Sequence, residues 1–417
     1  MTGVIEQPTL KYSIIIPTLN HLDDLLKPCL SSILQYTDIS DDMEVVVVAN
    51  GCTDGTKEYV ESLGKQFKLL WFDGPLGYTK AINEGIKASS GESLILLNND
   101  TVLLSQAKNT WINMLLDPLK GDVGITGPMK SRMDYIDHDA IIFFCAAIQR
   151  KLFNELGLLD EIYSPGAGED VDFCIQAERA GYRILQVPDG EQLKDDPKFM
   201  VGSFPIYHAA ESTMLDEEHA EEWYKIIERN RKLLTERFAL PEGMFWEHDI
   251  KAYRSIMNEV PIGGTICELG PWKGRSLCSV ADIIIKRKLN VIAVDIFTGT
   301  AHEEDLVRQG KESDIEAIFR SNMKRFGLDP VVHRMTTNEA SKLIEDGSLD
   351  LCFIDADHSF KGITEDLFYW IPKVKKGGLI GGHDYNGMAW PDVRKVVDTM
   401  WREVRYEYPS LVWSKQL

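Results

Sequence analysis

The sequence predicts a two-domain α/β protein, and three observations carry that prediction. Short apolar runs alternate with amphipathic stretches along the first half, the alternation restarts near residue 265, and a charged helical stretch ending in a Pro/Gly joint separates the two. At 417 residues the chain exceeds what one hydrophobic core usually serves. Its 44% hydrophobic and 26% charged residues supply material for two cores, which excludes a disordered or collagen-like chain.

In order, the first strands are YSIIIPTLN at 12–20, EVVVVANG at 44–51, FKLLWFD at 67–73 and ESLILLNND at 92–100. They are apolar on both faces, as a parallel sheet covered by helices requires. Between them Asp24 to Tyr36 and Asp54 to Lys65 read as helices, and a further helix is expected at 169–180. From Glu211 to Phe238 the chain becomes a charged helix with Trp223, Ile226, Ile227, Leu233 and Leu234 on one face. Pro241 and Gly243 end it, so the domains are expected at 1–240 and 241–417. The second alternation runs TICELG at 265–270, NVIAVDIF at 290–297, VVHRMT at 331–336, DLCFIDA at 350–356 and LIGGHDY at 379–385. The closing SLVWSKQL reads as an antiparallel strand. The two units show no internal repeat, because the residues at their strand ends differ in kind.

Charge narrows the partners. The net charge is −20, of which residues 1–240 carry −16, from 22 basic and 38 acidic side chains. Such a field repels polyanions, which argues against nucleic acid and anionic membranes. The seven cysteines form no CxxC pair and no even disulfide framework, which fits a reducing cytoplasm. The longest apolar run, Ala140 to Ile148, is too short to cross a bilayer, and the amino terminus lacks a signal-peptide layout. A cytoplasmic protein, at most peripheral at the membrane, is expected.

Ligands of open α/β sheets gather at the carboxyl ends of the strands. There the first half places Pro17, Thr18 and Asn20, then Asn50 in NGCTDGT, then Asn98, Asn99 and Asp100. Later, Glu169 and Asp170 open a helix. Taken singly, such residues are caps and turn formers. Four groups in this order are harder to explain that way. The segments SIIIPTLN, NGCTDGT, GYTKAINEGIKASSGESLILLNNDT, GAGEDVDFCIQAERAGYRI and IYHAAEST, within residues 12 to about 238, resemble an inverting family 2 glycosyltransferase of GT-A fold.

That resemblance implies a nucleotide-diphosphate sugar as donor. Asp54 would accept from the base imide, with Pro17, Thr18, Asn20, Asn50 and Asn99 nearby. UDP, dTDP and GDP all present such an imide. The acidic motif after the fourth strand would bind Mn²⁺ or Mg²⁺ through Asp100, its first position being Asn98, and His208 would be a second ligand. Asp170 resembles the family base. Glu169 beside it is expected to raise its pKa by like-charge repulsion. Asp172 reads as an acid of the first helical turn.

In the second half, Glu268-Leu-Gly270-Pro-Trp-Lys-Gly274-Arg-Ser276 follows a strand and opens a helix, and Asp295 ends the next strand 25 residues beyond Gly270. Pro271, Trp272 and Lys273 interrupt a dinucleotide fingerprint. The ExGxxxG spacing resembles motif I of class I S-adenosylmethionine methyltransferases. FIDADHSFKGITEDLFYWIPKVKKGGLIGGHDY resembles a metal-linked O-methyltransferase pattern, with a Rossmann-like fold over about 265–417. The resemblance implies that Glu268, Gly270, Gly274, Ser276 and Asp295 hold S-adenosylmethionine. It implies Asp355 and Asp384 as metal ligands, His383 as a third, and His358 as the base that deprotonates the acceptor hydroxyl.

The sequence thus predicts a bifunctional enzyme that adds a sugar to a glycan or lipid-linked saccharide and methylates a sugar hydroxyl, in surface polysaccharide biosynthesis. Fusion raises the local concentration of one domain's product at the other. An alternative keeps the glycosyltransferase and makes the second domain a non-catalytic binding or positioning module. A lectin-like scaffold would require both constellations to be coincidences. Acceptor specificity is expected in Lys130 to Ser164 and in a polar insert, Asp189 to Pro205, that would act as a lid.

Overall fold

The computed structural model describes residues 10–136, 138–188, 203–209, 220–300, 303–386 and 388–417, and divides into two compact units, Met1–Ala239 and Leu240–Leu417. Most of the insert and the first residues of the charged helical stretch lie outside the described residues.

The first unit opens with β1 (Leu10–Thr18), α1 (Lys27–Tyr36), β2 (Met43–Asn50), α2 (Thr56–Glu61), β3 (Phe67–Phe72), α3 (Tyr78–Ala88) and β4 (Gly91–Leu97). α1 starts later than its amphipathic pattern. Pro28 has no N–H to give, and the residues before it, Leu22–Leu26, form a separate wider turn. After β4 come β5 (Thr101–Leu103), α4 (Thr110–Leu116), β6 (Val123–Gly127), β7 (Lys130–Met133), β8 (His138–Ile141), β9 (Cys145–Gln149) and α5 (Arg150–Leu156). The unit closes with α6 (Glu169–Arg179), β10 (Arg183–Gln186), β11 (Ile206–His208) and α7 (Ala220–Phe238).

Seven strands form one sheet in the order β10-β6-β9-β4-β1-β2-β3. β1 pairs in parallel with β2 and β4, while β9 runs antiparallel between β4 and β6. The run Ala140 to Ile148 therefore supplies part of β8 and most of β9, a central strand apolar on both faces. One apolar cluster covers each face of the sheet: Ile14, Val45 and Trp111 belong to one, Ile15, Val46 and Phe173 to the other.

The second unit begins with α8 (Glu247–Glu259), β12 (Thr265–Leu269), α9 (Arg275–Ser279), α10 (Ala281–Lys286), β13 (Asn290–Asp295), α11 (Glu304–Glu312), α12 (Ile315–Arg325) and β14 (Val331–Arg334). It ends with α13 (Thr337–Ser341), β15 (Leu349–Ile354), α14 (Phe360–Trp370), β16 (Val374–Gly382), α15 (Pro391–Met400), β17 (Arg405–Tyr406) and β18 (Trp413–Gln416). The sheet order is β14-β13-β12-β15-β16-β18-β17. Its first five strands are parallel and β18 runs antiparallel to β16. The order reverses at β12, between β13 and β15, which places a crevice at the carboxyl ends of those strands. The seven cysteines are buried free thiols. No helix among the described residues is long and apolar enough to cross a membrane.

Candidate active sites

In the first unit, a cavity of about 650 Å³ opens at the carboxyl ends of β1, β2 and β4. Pro17, Thr18, Asn50 and Asn99 line it, as do Asp100 and His208, and Glu169 with Asp170. Asn99 donates its side-chain amide to Thr18 Oγ1 at 2.9 Å, and the Leu76 N–H donates to Asn50 Oδ1.

Asn20 and Asp54 do not line this cavity. The Asp54 carboxylate accepts from the Leu22 amide at 3.1 Å and from the amide (3.2 Å) and hydroxyl (2.6 Å) of Thr56. Asn20 Oδ1 accepts from the Thr53 amide at 2.7 Å, with Asn20 itself at φ 54°. Both side chains brace the turns beside the cavity.

β11 pairs antiparallel with β5, setting His208 opposite Thr101, and the Ala209 amide donates to the Asp100 carbonyl at 3.0 Å. This pairing brings His208 Nε2 to 3.4 Å from Asp100 Oδ1, while the His208 ring stacks on Phe144. Asp100 Oδ1 and Asn98 Oδ1 are buried without a hydrogen-bond partner. Buried oxygens are ordinarily satisfied, so these two and the neighbouring imidazole are a donor set that fits a hard divalent cation.

Glu169 and Asp170 form the first turn of α6 behind Ala167 and Gly168, both left-handed, with φ of 72° and 115°. The φ of Gly168 favours glycine, and a Cβ there would also press on Leu234 Cδ1 and Tyr163 Cδ1 at 3.2 Å. Burial raises the Glu169 carboxyl, and the charge of Asp170 adds to the effect. Burial raises Asp170 too, against backbone amides that favour its ionised form, the Val171 amide at 2.8 Å among them. Burial, rather than repulsion by the neighbouring acid, is thus the leading cause. Asp172 is a buried strut that accepts from the Tyr163 hydroxyl at 2.7 Å and Arg237 at 2.6 Å.

The second unit holds a cavity of about 1000 Å³ at the crevice. Gly270, at φ 80°, lets the ends of β12 and β15 meet, since a Cβ there would lie 2.0 Å from the Asp355 carbonyl oxygen. Asp295 lines the cavity, its carboxylate accepting from the Trp272 amide (2.8 Å) and the Phe297 amide (2.6 Å), and burial pushes its pKa up to about 6. Each oxygen keeps a lone pair, which fits a carboxylate that accepts ribose hydroxyls.

Ser276 also lines the cavity, but Glu268 and Gly274 do not. Glu268 is fully buried and accepts from the Ser276 hydroxyl and, at 2.9 Å, from the Tyr253 hydroxyl. It braces the turn from inside. Gly274 caps α9 at φ 83°, where a Cβ would strike Met323 and Phe319. Both expected cofactor contacts are therefore corrected to supports of the loop that carries Gly270.

Asp355, His358 and Asp384 bring ligand atoms within 4.8 Å of one another, the one such triad among the described residues. His358 Nε2 lies 3.2 Å from both Asp355 Oδ1 and Asp384 Oδ2, and its Nδ1 lies 3.5 Å from Glu303 Oε1. Burial favours a neutral ring, but the carboxylates of Asp355, Asp384 and Glu303 outweigh it and raise the His358 pKa. With a cation on the carboxylates that attraction would be offset, leaving a neutral imidazole beside them that can take a proton. His383 Nδ1 lies 3.0 Å from Asp384 Oδ2 and 3.7 Å from Asp355 Oδ1, while its Nε2 faces Asp249 Oδ2 at 3.4 Å. A divalent cation would satisfy this excess of carboxylates.

Several residues around the second site carry no such signal in the sequence. Asp249 and Glu303 sit at helix starts and look like caps there; Asp366 sits on one face of an amphipathic helix and looks like a surface acid. Trp390 gave no signal, yet it lines the cavity and stacks on His358.

Residues 13–155 match Glycosyl transferase family 2, and residues 267–385 match a methyltransferase domain family. The chain carries a family 2 glycosyl transferase domain and a methyltransferase domain. Both are transferase domains. Within the glycosyl transferase domain, the matched segment ends before Glu169, Asp170 and His208. The methyltransferase match runs from β12 to just beyond Asp384.

Glycosyltransferase AglE of Haloferax volcanii is 36% identical over 91 residues, 21% of this chain and 30% of that protein. The chain spans 17% to 59% of the length of the curated relatives it matches. Among solved structures, the mannosyltransferase PcManGT from Pyrobaculum calidifontis, in complex with GDP-Man and Mn²⁺, is 22% identical (TM-score 0.36), covering 47% of this chain and 61% of that one. The O-methyltransferase NovP is 20% identical (TM-score 0.34), covering 44% of this chain and 87% of that one.

Proposed function

We propose that the chain is a bifunctional enzyme of surface polysaccharide biosynthesis. Its first domain transfers a sugar from a nucleotide-diphosphate donor to a glycan or lipid-linked saccharide with inversion. Its second methylates a sugar hydroxyl with the methyl group of S-adenosylmethionine. The observation that carries this reading is that each domain has its own cavity at the carboxyl ends of its strands, with a carboxylate–imidazole cluster inside it.

In the first domain Asp170 accepts the proton of the acceptor hydroxyl as that oxygen attacks the anomeric carbon. The bond to the donor diphosphate breaks on the opposite face, and its electron pair leaves with the phosphate oxygen. Asp100 and His208 would hold a Mn²⁺ or Mg²⁺ ion, with Asn98 beside them, and the ion would supply positive charge for the departing diphosphate. Thr18, Asn50 and Asn99 would hold the nucleotide.

In the second domain Gly270, Ser276 and Asp295 would hold S-adenosylmethionine, which supplies a methyl group on a sulfonium. Asp355 and Asp384 would hold a divalent cation that lowers the effective pKa of the acceptor hydroxyl, and His358 beside them would take the hydroxyl proton as its oxygen attacks the methyl group, with His383 tied to Asp249 behind them. Trp390 gives the cavity a flat apolar wall.

Calorimetry with S-adenosylmethionine, and a thermal-shift panel of UDP-, dTDP- and GDP-sugars with and without Mn²⁺, test the reading directly. Binding of the cofactor and of at least one donor is expected. A chain that binds neither contradicts the proposal, and cofactor binding without turnover on any glycan would make the second domain a positioning module.

A further inference from the structure

Helix α7 lies beyond the matched family segment, yet one of its faces is built into the glycosyl-transfer cavity. Trp223, Ile227, Asn230 and Leu234 recur at helical spacing and share that face. Trp223 lines the cavity, and Leu234 is buried against the position where Gly168 allows no side chain.

Between them Asn230 is 1% exposed and points its amide at the loop leading into Glu169 and Asp170. Asn230 Nδ2 stands 2.9 Å from the Tyr163 carbonyl oxygen, 2.9 Å from that of Gly166 and 2.7 Å from that of Ala167. Its Oδ1 accepts from Arg229, whose guanidinium also donates to the Ser164 carbonyl at 2.6 Å. Three carbonyl oxygens converge here with their negative ends together, and the amide N–H groups hold them there. The same loop turns through consecutive left-handed residues, Ala167 and Gly168, a conformation that alanine keeps only when its surroundings impose it.

We propose that Asn230 is a positioning residue for glycosyl transfer: by gathering the carbonyls of Tyr163, Gly166 and Ala167, it fixes the loop that presents Asp170 to the cavity. This inference rests on the reading of Asp170 as the base. It concerns the base more directly than the donor. Asn230's hydrogen bonds reach none of Thr18, Asn50, Asn99 or Asp100, which stand at the ends of β1, β2 and β4. A small displacement of a base from its substrate oxygen lowers the rate without weakening donor binding.

The test uses the full chain carrying Asn230→Asp, Asn230→Ala, Asp170→Asn, and Asp170→Asn combined with Asn230→Ala. Affinity for UDP, dTDP or GDP with Mn²⁺ is measured by calorimetry. Turnover is followed as release of the same diphosphate from its sugar donor with a panel of glycan acceptors. Both Asn230 variants should bind the diphosphate within about threefold of the native protein and lose roughly 10- to 100-fold in kcat. In the Asp170→Asn background, Asn230→Ala should change the residual rate less than about twofold, because both substitutions act through one group. Three results overturn the proposal: native kcat in the Asn230 variants, a loss that adds in full to that of Asp170→Asn, or diphosphate affinity that falls in step with kcat. A native rate in Asp170→Asn alone would instead refute the reading of Asp170, and the role of Asn230 would fall with it.

Discussion

His208 Nε2 stands 3.4 Å from Asp100 Oδ1, and it is the antiparallel pairing of β11 with β5 that holds it there. Two residues distant in sequence thus meet in the wall of a cavity whose half of the chain carries most of the net charge of −20. An acidic domain that holds a diphosphate gains from positive charge brought to it. Among the described residues no lysine or arginine lines this cavity, and a cation between Asp100 and His208 is the proposed source of that charge.

Chelation should therefore weaken nucleotide binding. Calorimetry of UDP or GDP with Mn²⁺, repeated in EDTA, should show at least about tenfold weaker binding, which is about 1.4 kcal/mol. His208→Ala should fall between the two conditions. Affinity unchanged by EDTA would remove the cation from the account.

Asn50 and Asp54 should part company. Asn50 lines the cavity, whereas the Asp54 carboxylate is occupied by the Leu22 and Thr56 amides and the Thr56 hydroxyl. Asp54→Ala should cost about 1 kcal/mol of stability, as the loss of a capping side chain does, and leave diphosphate affinity within about threefold. Asn50→Ala should weaken the diphosphate by more than about fivefold, from the loss of one hydrogen bond. The reverse ranking in the same titrations would restore Asp54 as the nucleoside contact.

Asp366 should make the methyltransferase domain less stable as the pH rises. It is 3% exposed, accepts from the Thr337 hydroxyl through Oδ1, leaves Oδ2 unpartnered, and burial pushes its pKa up to about 7 from 3.8. The folded state prefers the protonated acid, so this contribution is complete below about pH 4 and is lost as the pH climbs to about 7. Glu268, raised to about 7, and Asp295, raised to about 6, act in the same direction. In calorimetric scans from pH 5 to 8, the transition that S-adenosylmethionine shifts should move down with pH. Asp366→Asn should recover on the order of 2 kcal/mol at pH 8. A variant whose transition falls in parallel with the native one would contradict this.

Much of the fold was legible because period and strand length are local properties. The β-runs ending at Thr18, Asn50 and Leu97, and those ending at Leu269, Asp295 and Ile354, follow from unbroken apolar stretches followed by polar turn residues. Thr18, Asn50, Asn99 and Asp100 were legible as cavity-lining residues for the same reason, since a strand end in such a sheet faces the crevice. Glu268 and Gly274 were misread because sequence places a residue near a site without saying which way it faces. Their hydrogen bonds and close contacts turn them into supports. The surroundings of His358 and His383 depend on Glu303 and Asp249, which come from distant helix starts that no local pattern connects. Asn230 was hidden in a charged helix, because three carbonyls some 65 residues earlier in the chain give it its task.

Paired activity assays of Asp170→Asn and Asp295→Ala test whether two independent transfer sites share one chain. With a donor and an acceptor identified by the binding panel, Asp170→Asn should lose at least about 100-fold in sugar transfer and keep native methyl transfer. Asp295→Ala should lose methyl transfer and keep native sugar transfer. If both variants lose both activities, or if each loses the other's, the assignment of one reaction to each domain is wrong.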